Sequence, residues 1–214
     1  MLGRVMVDGR VARGERTRTA VLDTAVALVT QDGLDGLSLG QLAEALGVSK
    51  SGLFAHWRSK QDLQLATVER AREQWAERVI DPARQAPRGA RRLWALHVAR
   101  LDFYASSTLP GGCFFATVKF EYNARSGPVY ERIAQSHAEW MEFVEKLGRQ
   151  AVEQGDLRAD TDVAVLAYEI EAAGVAAVMQ FRLLSPQVVY PLARRAVLER
   201  LRGLCTDPTL LPEE

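Results

Sequence analysis

Residues 38–63 read SLGQLAEALGVSKSGLFAHWRSKQDL, which is the pattern of two short helices joined by a tight turn. Ser38 is a favourable N-cap for the first helix, because its hydroxyl can accept a hydrogen bond from an unpaired backbone N–H. Gly47 supplies the permissive backbone on which that helix ends. The apolar residues between them recur at helical spacing and share one face: Leu39, Leu42, Ala43 and Leu46.

The second helix of the pair begins at Ser49 and carries Leu53 and Trp57, four residues apart, which anchor it on the first helix. Val48 is expected to fill the corner, and the small Ala43 lets the two axes cross closely. Two helices of this kind, with a polar face left outward, form the unit that enters the major groove of DNA. The alternative is a generic helical hairpin in an all-α core. The small residues at the crossing and the polar free face argue against it.

Two segments resemble the tetracycline-repressor (TetR) family of bacterial one-component regulators: Leu42-Ala-x-x-Leu-Gly-Val-Ser49 and Phe54-x-His-Trp-x-Ser-Lys-x-x-Leu63. The resemblance implies a homodimer with two DNA-binding heads and a helical body for ligand binding and dimerisation. Two positions depart from the family pattern, which usually has Tyr at Phe54 and Phe at Trp57. A Tyr hydroxyl can hydrogen-bond a phosphate and Phe54 cannot, so we expect one contact to the DNA backbone to be absent.

The remaining sequence predicts an all-α protein of about nine helices, since no segment alternates as a strand does. A first helix is expected from about Glu15 to Gln31. Ser59 and Asp62 have the form of a capping box, which opens a long fourth helix through about Arg78. Further helices follow to about Leu204.

Asp81–Pro82 and residues 86–89 break the helical pattern and predict a hinge between two modules. We therefore assign residues 14–60 to a helix-turn-helix DNA-binding domain and residues 61–208 to a helical effector-binding and dimerisation domain. The fourth helix joins the two, so we expect it to transmit a change in the body to the head.

The net charge is zero, with 27 Lys and Arg against 27 Asp and Glu, which argues against a protein that coats nucleic acid non-specifically. No apolar run approaches the roughly 18–20 residues that span a bilayer, and the N-terminal residues lack the uninterrupted apolar segment that is expected of a secretory signal. Two cysteines are too few for a disulfide framework. These features predict a cytoplasmic protein without membrane contact. The N-terminal arginines fit either a basic arm along phosphates or a solvated terminus: Arg4, Arg10, Arg13, Arg16 and Arg18.

The first turn of the second helix in the motif reaches deepest into the groove. Lys50 can donate to guanine or to a phosphate, and Gly52 lets the backbone approach closely. The resemblance implies phosphate contacts for His56 and Lys60. The predicted DNA-binding residues are Ser38, Gln41, Ser49, Lys50, Ser51, Gly52, Phe54, His56 and Lys60.

The C-terminal helices are rich in aromatic and large apolar residues with a few polar groups among them. Most are expected in the core, but a pocket of this composition suits a small, largely apolar effector. The predicted pocket residues are Trp94, His97, Leu101, Tyr104, Cys113, Phe114, Trp140, Phe143, Glu171 and Met179. For His97, an ordinary buried or exposed histidine is the alternative.

Two further segments each allow two interpretations. Residues 109–115 place two glycines before Cys113, which fits a ligand-gated or redox-sensitive loop whose thiol pKa is lowered by a helix N-terminus. The alternative is a small buried residue beside a helix start. The small residues of Ala172–Ala177 let helices approach closely, either across a dimer interface or within one chain.

These features predict a ligand-responsive DNA-binding transcriptional regulator, a repressor released from a palindromic operator by its effector. An enzyme is one alternative, but nothing brings Cys113 and His97 within hydrogen-bond reach as a thiol hydrolase requires. A helical adaptor that does not bind DNA is the other. We expect no catalytic residue, no cofactor and no metal site, because no phosphate loop or metal-ligand spacing is present.

Overall fold

The computed structural model describes residues 2–49, 53, 56–106 and 108–213, and describes residues 2–16 by their backbone alone. Over these ranges the chain is helical, as predicted, with an isolated bridge between Leu157 and Cys205 as its sole β-type pairing. The helices are α1 (Leu2–Asp32), α2 (Leu39–Leu46), α3 (Lys60–Trp75), α4 (Asp81–Arg84), α5 (Ala90–Ala105), α6 (Phe114–Tyr122), α7 (Pro128–Glu153), α8 (Val163–Leu184) and α9 (Pro186–Leu204). A π-helical turn, Ala76–Ile80, joins α3 to α4, and a 3-10 turn, Pro208–Leu210, follows α9.

Two predicted helix boundaries are wrong. The first helix begins at Leu2 and not near Glu15. The long helix that starts at Lys60 does not stop at Arg78 but continues through the π-helical turn into α4. Pro82 lies in the first turn of α4 and does not end the helical run. The chain turns only after Arg84, and Gly89 adopts a positive φ of 91° just before α5.

The described residues of the N-terminal motif agree with its prediction except at one position, and most of its second helix lies outside the described residues. Leu53 and Trp57 are buried against the apolar faces of α1 and α2. Gly47 has a φ of 64°, and the N–H of Val48 donates to Ala43 O at 3.0 Å, which closes the end of α2. The Val48 side chain is 48% exposed, so it does not fill the corner.

The body is held by a close approach of α8 to α5. Arg100, on α5, is 1% exposed and donates from Nη2 to Glu171 O at 3.0 Å. Gly174 lies over the Arg100 guanidinium, and a Cβ built at that position would overlap it. The run of small residues in α8 therefore serves packing within the chain at Gly174 and at the buried Ala177.

His97, one turn before Arg100 on α5, is fully buried. Its Nε2 lies 2.9 Å from Ala193 O on α9, and its Nδ1 has no hydrogen-bond partner among the described residues. Burial, with a contribution from the positive charge of Arg100, lowers the pKa of His97 to about 3. The ring is therefore a neutral part of the α5–α9 contact.

One described helix, α8, is long and apolar enough to cross a membrane by length and composition, with 33% of its apolar window buried in the body. The prediction that no apolar stretch approaches this length is therefore wrong for α8, although Glu169 and Glu171 interrupt its apolar residues. Since α8 packs against α9, α7 and α5, it is a helix of the folded body.

The contact between Gly174 and Arg100 predicts a large difference between two glycine substitutions. Gly174→Ala should lower the free energy of unfolding by about 2 kcal/mol or more, because Arg100 has no room to move away. Gly203→Ala, in α9, is the matched control, since nothing lies within 4 Å of a Cβ built there. It should leave stability unchanged or raise it by up to about 1 kcal/mol. Urea unfolding at equal protein concentration measures both; equal effects would contradict the close approach.

The lowered pKa of His97 predicts a dependence of stability on pH. In the unfolded chain a histidine binds a proton below about pH 6.5, whereas folded His97 resists one down to about pH 3. The unfolded state is therefore favoured as the pH falls. Between pH 7 and pH 5 this residue should remove about 2 kcal/mol of stability. In the His97→Gln variant, the free energy of unfolding measured in urea should fall between pH 7 and pH 5 by about 2 kcal/mol less than it does in the wild type. His56→Gln, at an exposed histidine, should keep the wild-type dependence; an unchanged His97→Gln variant would argue against a neutral buried ring.

Candidate nucleic-acid interface and effector cavity

The start of α2 is fixed by a reciprocal cap between two of the predicted DNA-binding residues. Gln41 N–H donates to Ser38 Oγ at 3.2 Å, and Ser38 N–H donates to Gln41 Oε1 at 3.1 Å. This arrangement satisfies two backbone donors at the helix start. It also holds both side chains on the surface of the helix end, where they remain candidates for contact with a DNA backbone.

His56 and Trp57 are joined to α1 by Arg18. The Arg18 guanidinium lies 5.2 Å from the centroid of the Trp57 ring, and its Nη1 donates to His56 O at 3.5 Å. The His56 side chain is exposed. Arg18, one of the five N-terminal arginines, therefore has a structural role here.

The other predicted DNA-binding residues are less well placed by the structure. Ser49 is exposed just after the turn that follows α2. The Lys60 ammonium donates to the backbone oxygen of Asp35 and lies 3.4 Å from Asp35 Oδ1, so any phosphate must compete with this contact. Four predicted residues lie outside the described part of the chain: Lys50, Ser51, Gly52 and Phe54.

The turn between α1 and α2 is attached to α6 by a single carboxylate. Glu121 accepts a hydrogen bond from Leu34 N–H and another from Asp35 N–H, each at 2.7 Å. Arg125, just after α6, forms an ion pair with Asp35 at 3.3 Å. The hydrogen bond from Arg125, together with the charge of Lys60, lowers the pKa of Asp35 below its ordinary value. The sequence reading did not find this attachment, since it joins residues that are far apart in the chain.

A cavity of about 420 Å³ lies in the body between α3, α6, α7 and α8. It falls within the usual size range of sites for small molecules. Half of the predicted pocket residues line it: Tyr104, Cys113, Trp140, Phe143 and Glu171. The other half do not line it: Trp94, His97, Leu101, Phe114 and Met179.

Each residue outside the cavity lining has another environment. His97 faces α9, and Trp94 packs beside it with the two ring centroids 6.2 Å apart. Leu101 and Phe114 are buried in the core, at 0% and 2% exposure. Met179 points outward from α8 and is 45% exposed. Helical spacing predicts that these residues lie on apolar faces, but it does not distinguish residues that line the cavity from residues in the core or on the surface.

Trp75 forms the centre of an aromatic wall that the sequence reading missed. Its ring meets that of Trp140 edge-on at 5.2 Å and lies 6.3 Å from that of Phe115. Tyr104 and Phe143 extend the same wall. One signal was available, because Trp75 is a lone large aromatic at the end of a strongly charged helix.

Cys113 precedes α6 and lines the cavity, but its thiol is not activated. Burial raises the pKa of Cys113 above its ordinary value, and the contacts to Tyr104 and Lys119 offset this only in part. The expectation that the helix N-terminus lowers this pKa is wrong, because the thiol is 4% exposed. The structure supports the reading of Cys113 as a small buried residue.

Glu171 is the polar centre of the cavity wall. Its Oε1 accepts a hydrogen bond from Lys119 Nζ at 2.6 Å, and its Oε2 accepts one from Trp140 Nε1 at 2.9 Å. Arg100 Nη1 donates to the same Oε2 at 3.2 Å. Burial alone would raise the pKa of Glu171, but Arg100 and Lys119 together lower it below its ordinary value. The carboxylate is therefore ionised at neutral pH.

The described ranges contain no group of three His, Cys, Asp or Glu side chains that could hold a metal ion. The polar groups of the cavity wall are hydrogen-bonded to one another, and Cys113 stays protonated. Such a cavity is suited to binding a small molecule.

Comparison with known proteins agrees with both parts of this architecture. Residues 21–67 match the family model for bacterial regulatory proteins of the tetR family. Residues 89–197 match the model for the tetracyclin repressor-like C-terminal domain. The HTH-type transcriptional regulator SrpR of Pseudomonas putida is 26% identical over 159 residues, which are 74% of this chain and 71% of SrpR.

Two solved structures share the fold. A TetR transcriptional regulator from Chloroflexus aurantiacus superposes with a TM-score of 0.76 at 25% identity, over 87% of this chain and 96% of that one. AibR, in complex with isovaleryl coenzyme A and operator DNA, superposes with a TM-score of 0.64 at 20% identity, over 88% of this chain and 97% of AibR. The predicted family, the all-α fold and the expectation of a non-enzymatic protein are confirmed. The chain belongs to the TetR family of bacterial DNA-binding transcriptional regulators.

Proposed function

We propose that this regulator is a repressor, which binds a palindromic operator as a homodimer and leaves it when a small, largely apolar effector enters the cavity. The observation that carries this proposal is the position of α6. One side of α6 contributes Lys119 to the cavity, and Glu121 holds the turn that precedes α2. A ligand that moves α6 would therefore move the DNA-binding head.

Residues 14–60 act as the head in this proposal, and residues 61–208 act as the effector-binding and dimerisation body, within the cytoplasm. The head contacts DNA through Ser38, Gln41, Ser49, Lys50, Ser51, Gly52, Phe54, His56 and Lys60. AibR, whose fold this chain shares, binds isovaleryl coenzyme A and operator DNA. An effector with an apolar part is consistent with the aromatic wall around Trp75.

The exposed apolar surface of α8 and α9 supports the homodimer. Along α8 an outward stripe recurs at helical spacing and combines small residues with large ones: Tyr168, Ala172, Ala176, Met179 and Leu183. Leu183 is 82% exposed, and on α9 Val188 and Leu192 are about half exposed. Apolar side chains concentrated on two adjacent helices mark an interface with another protein surface. A second copy of the same pair would bury both stripes by forming a four-helix contact.

DNA binding is tested by fluorescence anisotropy with labelled DNA from the region upstream of the protein's own gene. We expect saturable binding that an excess of random DNA does not remove. Lys50→Ala should weaken it about tenfold or more, through loss of a base or phosphate contact. Lys146→Ala, at an exposed lysine of α7, is the matched control and should bind as the wild type does. Binding no tighter than to random DNA would contradict an operator at this place.

The dimer is tested by sedimentation velocity. A double variant, Leu183→Glu with Leu192→Glu, should sediment as a monomer at concentrations at which the wild type is a dimer, because it places charges within an apolar contact. Tyr130→Glu, at a 37% exposed tyrosine of α7 away from that surface, should remain a dimer. A wild-type monomer would contradict the homodimer, and a double variant that stays dimeric would place the interface elsewhere.

A further inference from the structure

The ion cluster at the inner end of the cavity carries more positive than negative charge, with Arg100 buried behind the lining residues Lys119 and Glu171. Arg100, Lys119 and Glu171 form one cluster, in which the carboxylate is bonded to both cations. Arg100 is 1% exposed at its side chain and Glu171 is 14% exposed. His137, the next titratable group, lies 3.4 Å from Lys119 Nζ. Burial, together with the charge of Lys119, lowers the pKa of His137, so that ring is neutral at pH 7. Two cations thus face one anion.

The mouth of the cavity supplies no carboxylate that forms an ion pair with Lys119, among the described residues. Each of its carboxylates already pairs with an arginine. Glu69 pairs with Arg132 and Arg72, and Glu139 pairs with the same two residues. Glu73 pairs at 2.9 Å with Arg70, which Asp23 and Glu77 share. These groups are 41–62% exposed and are solvated in addition. The uncompensated charge therefore remains at the inner end, beside Lys119.

Lys119 is the cation that a ligand can reach. Its side chain is 25% exposed and lines the cavity, whereas Arg100 lies behind the rings of Tyr104 and Trp140. An ammonium group has three N–H donors. Two of them are directed at Glu171 and His137, so one donor is available toward the cavity.

We infer that the effector is an apolar or aromatic molecule that carries one anionic group, a carboxylate, bound by Lys119 at the inner end of the cavity. The inference rests on the proposed effector role of this cavity and names the chemical class of that effector. A carboxylate at this point supplies the counter-charge that the cluster lacks and a charge-assisted hydrogen bond with Lys119. The apolar part of the molecule lies against Trp75, Phe115 and Trp140.

A cationic ligand fits the same walls less well. Aromatic rings attract organic cations, but the carboxylate that would neutralise one, Glu171, is occupied by Arg100, Lys119 and Trp140. A ligand cation at the inner end would lie against two existing positive charges. The decisive observation is therefore whether the protein binds an anionic ligand more tightly than a cationic ligand with the same apolar skeleton.

The test is isothermal titration calorimetry of the full-length protein, without DNA, with three probes that share a skeleton: phenylbutyrate, phenylbutanol and phenylbutylammonium. Phenylbutyrate should bind at least about tenfold more tightly than the other two, which is the effect of one charge-assisted hydrogen bond. Lys119→Met should abolish this preference while leaving affinity for the alcohol within about twofold. Lys119→Arg should retain the preference, and Lys146→Met, at an exposed lysine, should behave as the wild type.

Equal affinity for the three probes, tighter binding of the ammonium, or no binding of phenylbutyrate would overturn the inference. So would an unchanged preference in Lys119→Met. Because the titration contains no DNA, none of these results bears on operator binding. Conversely, a failure to bind upstream DNA leaves the ligand preference measurable. A negative result for the anionic effector can therefore be distinguished from a negative result for operator binding.

Discussion

Glu171 is the residue at which the helices of the body meet. Its carboxylate, on α8, accepts hydrogen bonds from Arg100 of α5, Lys119 of α6 and Trp140 of α7. An ionised carboxylate taken out of water is costly unless its oxygens are matched by donors, and here three donors match two oxygens. Each donor comes from a different helix, so the charge fixes the relative positions of all four. The cavity remains open because the four helices are held apart around the hydrogen-bonded Glu171 carboxylate.

This arrangement connects the cavity to the head through the geometry of a short helix. Lys119 and Glu121 are two residues apart on α6, and side chains at that spacing point to nearly opposite sides of a helix. Lys119 faces the body, and Glu121 binds the backbone of the turn before α2. A ligand shifts the head only by as much as its affinity differs between two positions of α6. The expectation that the fourth helix of the sequence, α3 in the structure, transmits the change stays a prediction, and α6, which touches both regions directly, offers a second route.

The sequence predicts local features well and spatial neighbours poorly. The caps at Ser38 and Ser59 and the left-handed Gly47 follow from residue types a few positions apart, and all three appear in the structure. His97 and Tyr104 are seven residues apart on one face of α5, so periodicity treats them alike. His97 meets α9 while Tyr104 meets the cavity. What lies opposite a buried face depends on residues far away in the chain, which periodicity does not report. The attachment of Glu121 to the head was missed for the same reason.

The composition of α8 shows why hydropathy alone misleads here. A helix that is apolar on every side is expected inside a large core or a membrane. In α8 the inner face, with Ile170, Gly174 and Ala177, packs into the body, where Gly174 leaves room for Arg100. The outer face, from Tyr168 to Leu183, is exposed and equally apolar. A membrane would not explain the ion cluster at Glu171, which lies on the body side of the same helix. The proposed interface with a second copy would account for both faces, because it needs an apolar exterior on a helix whose inner face is already packed.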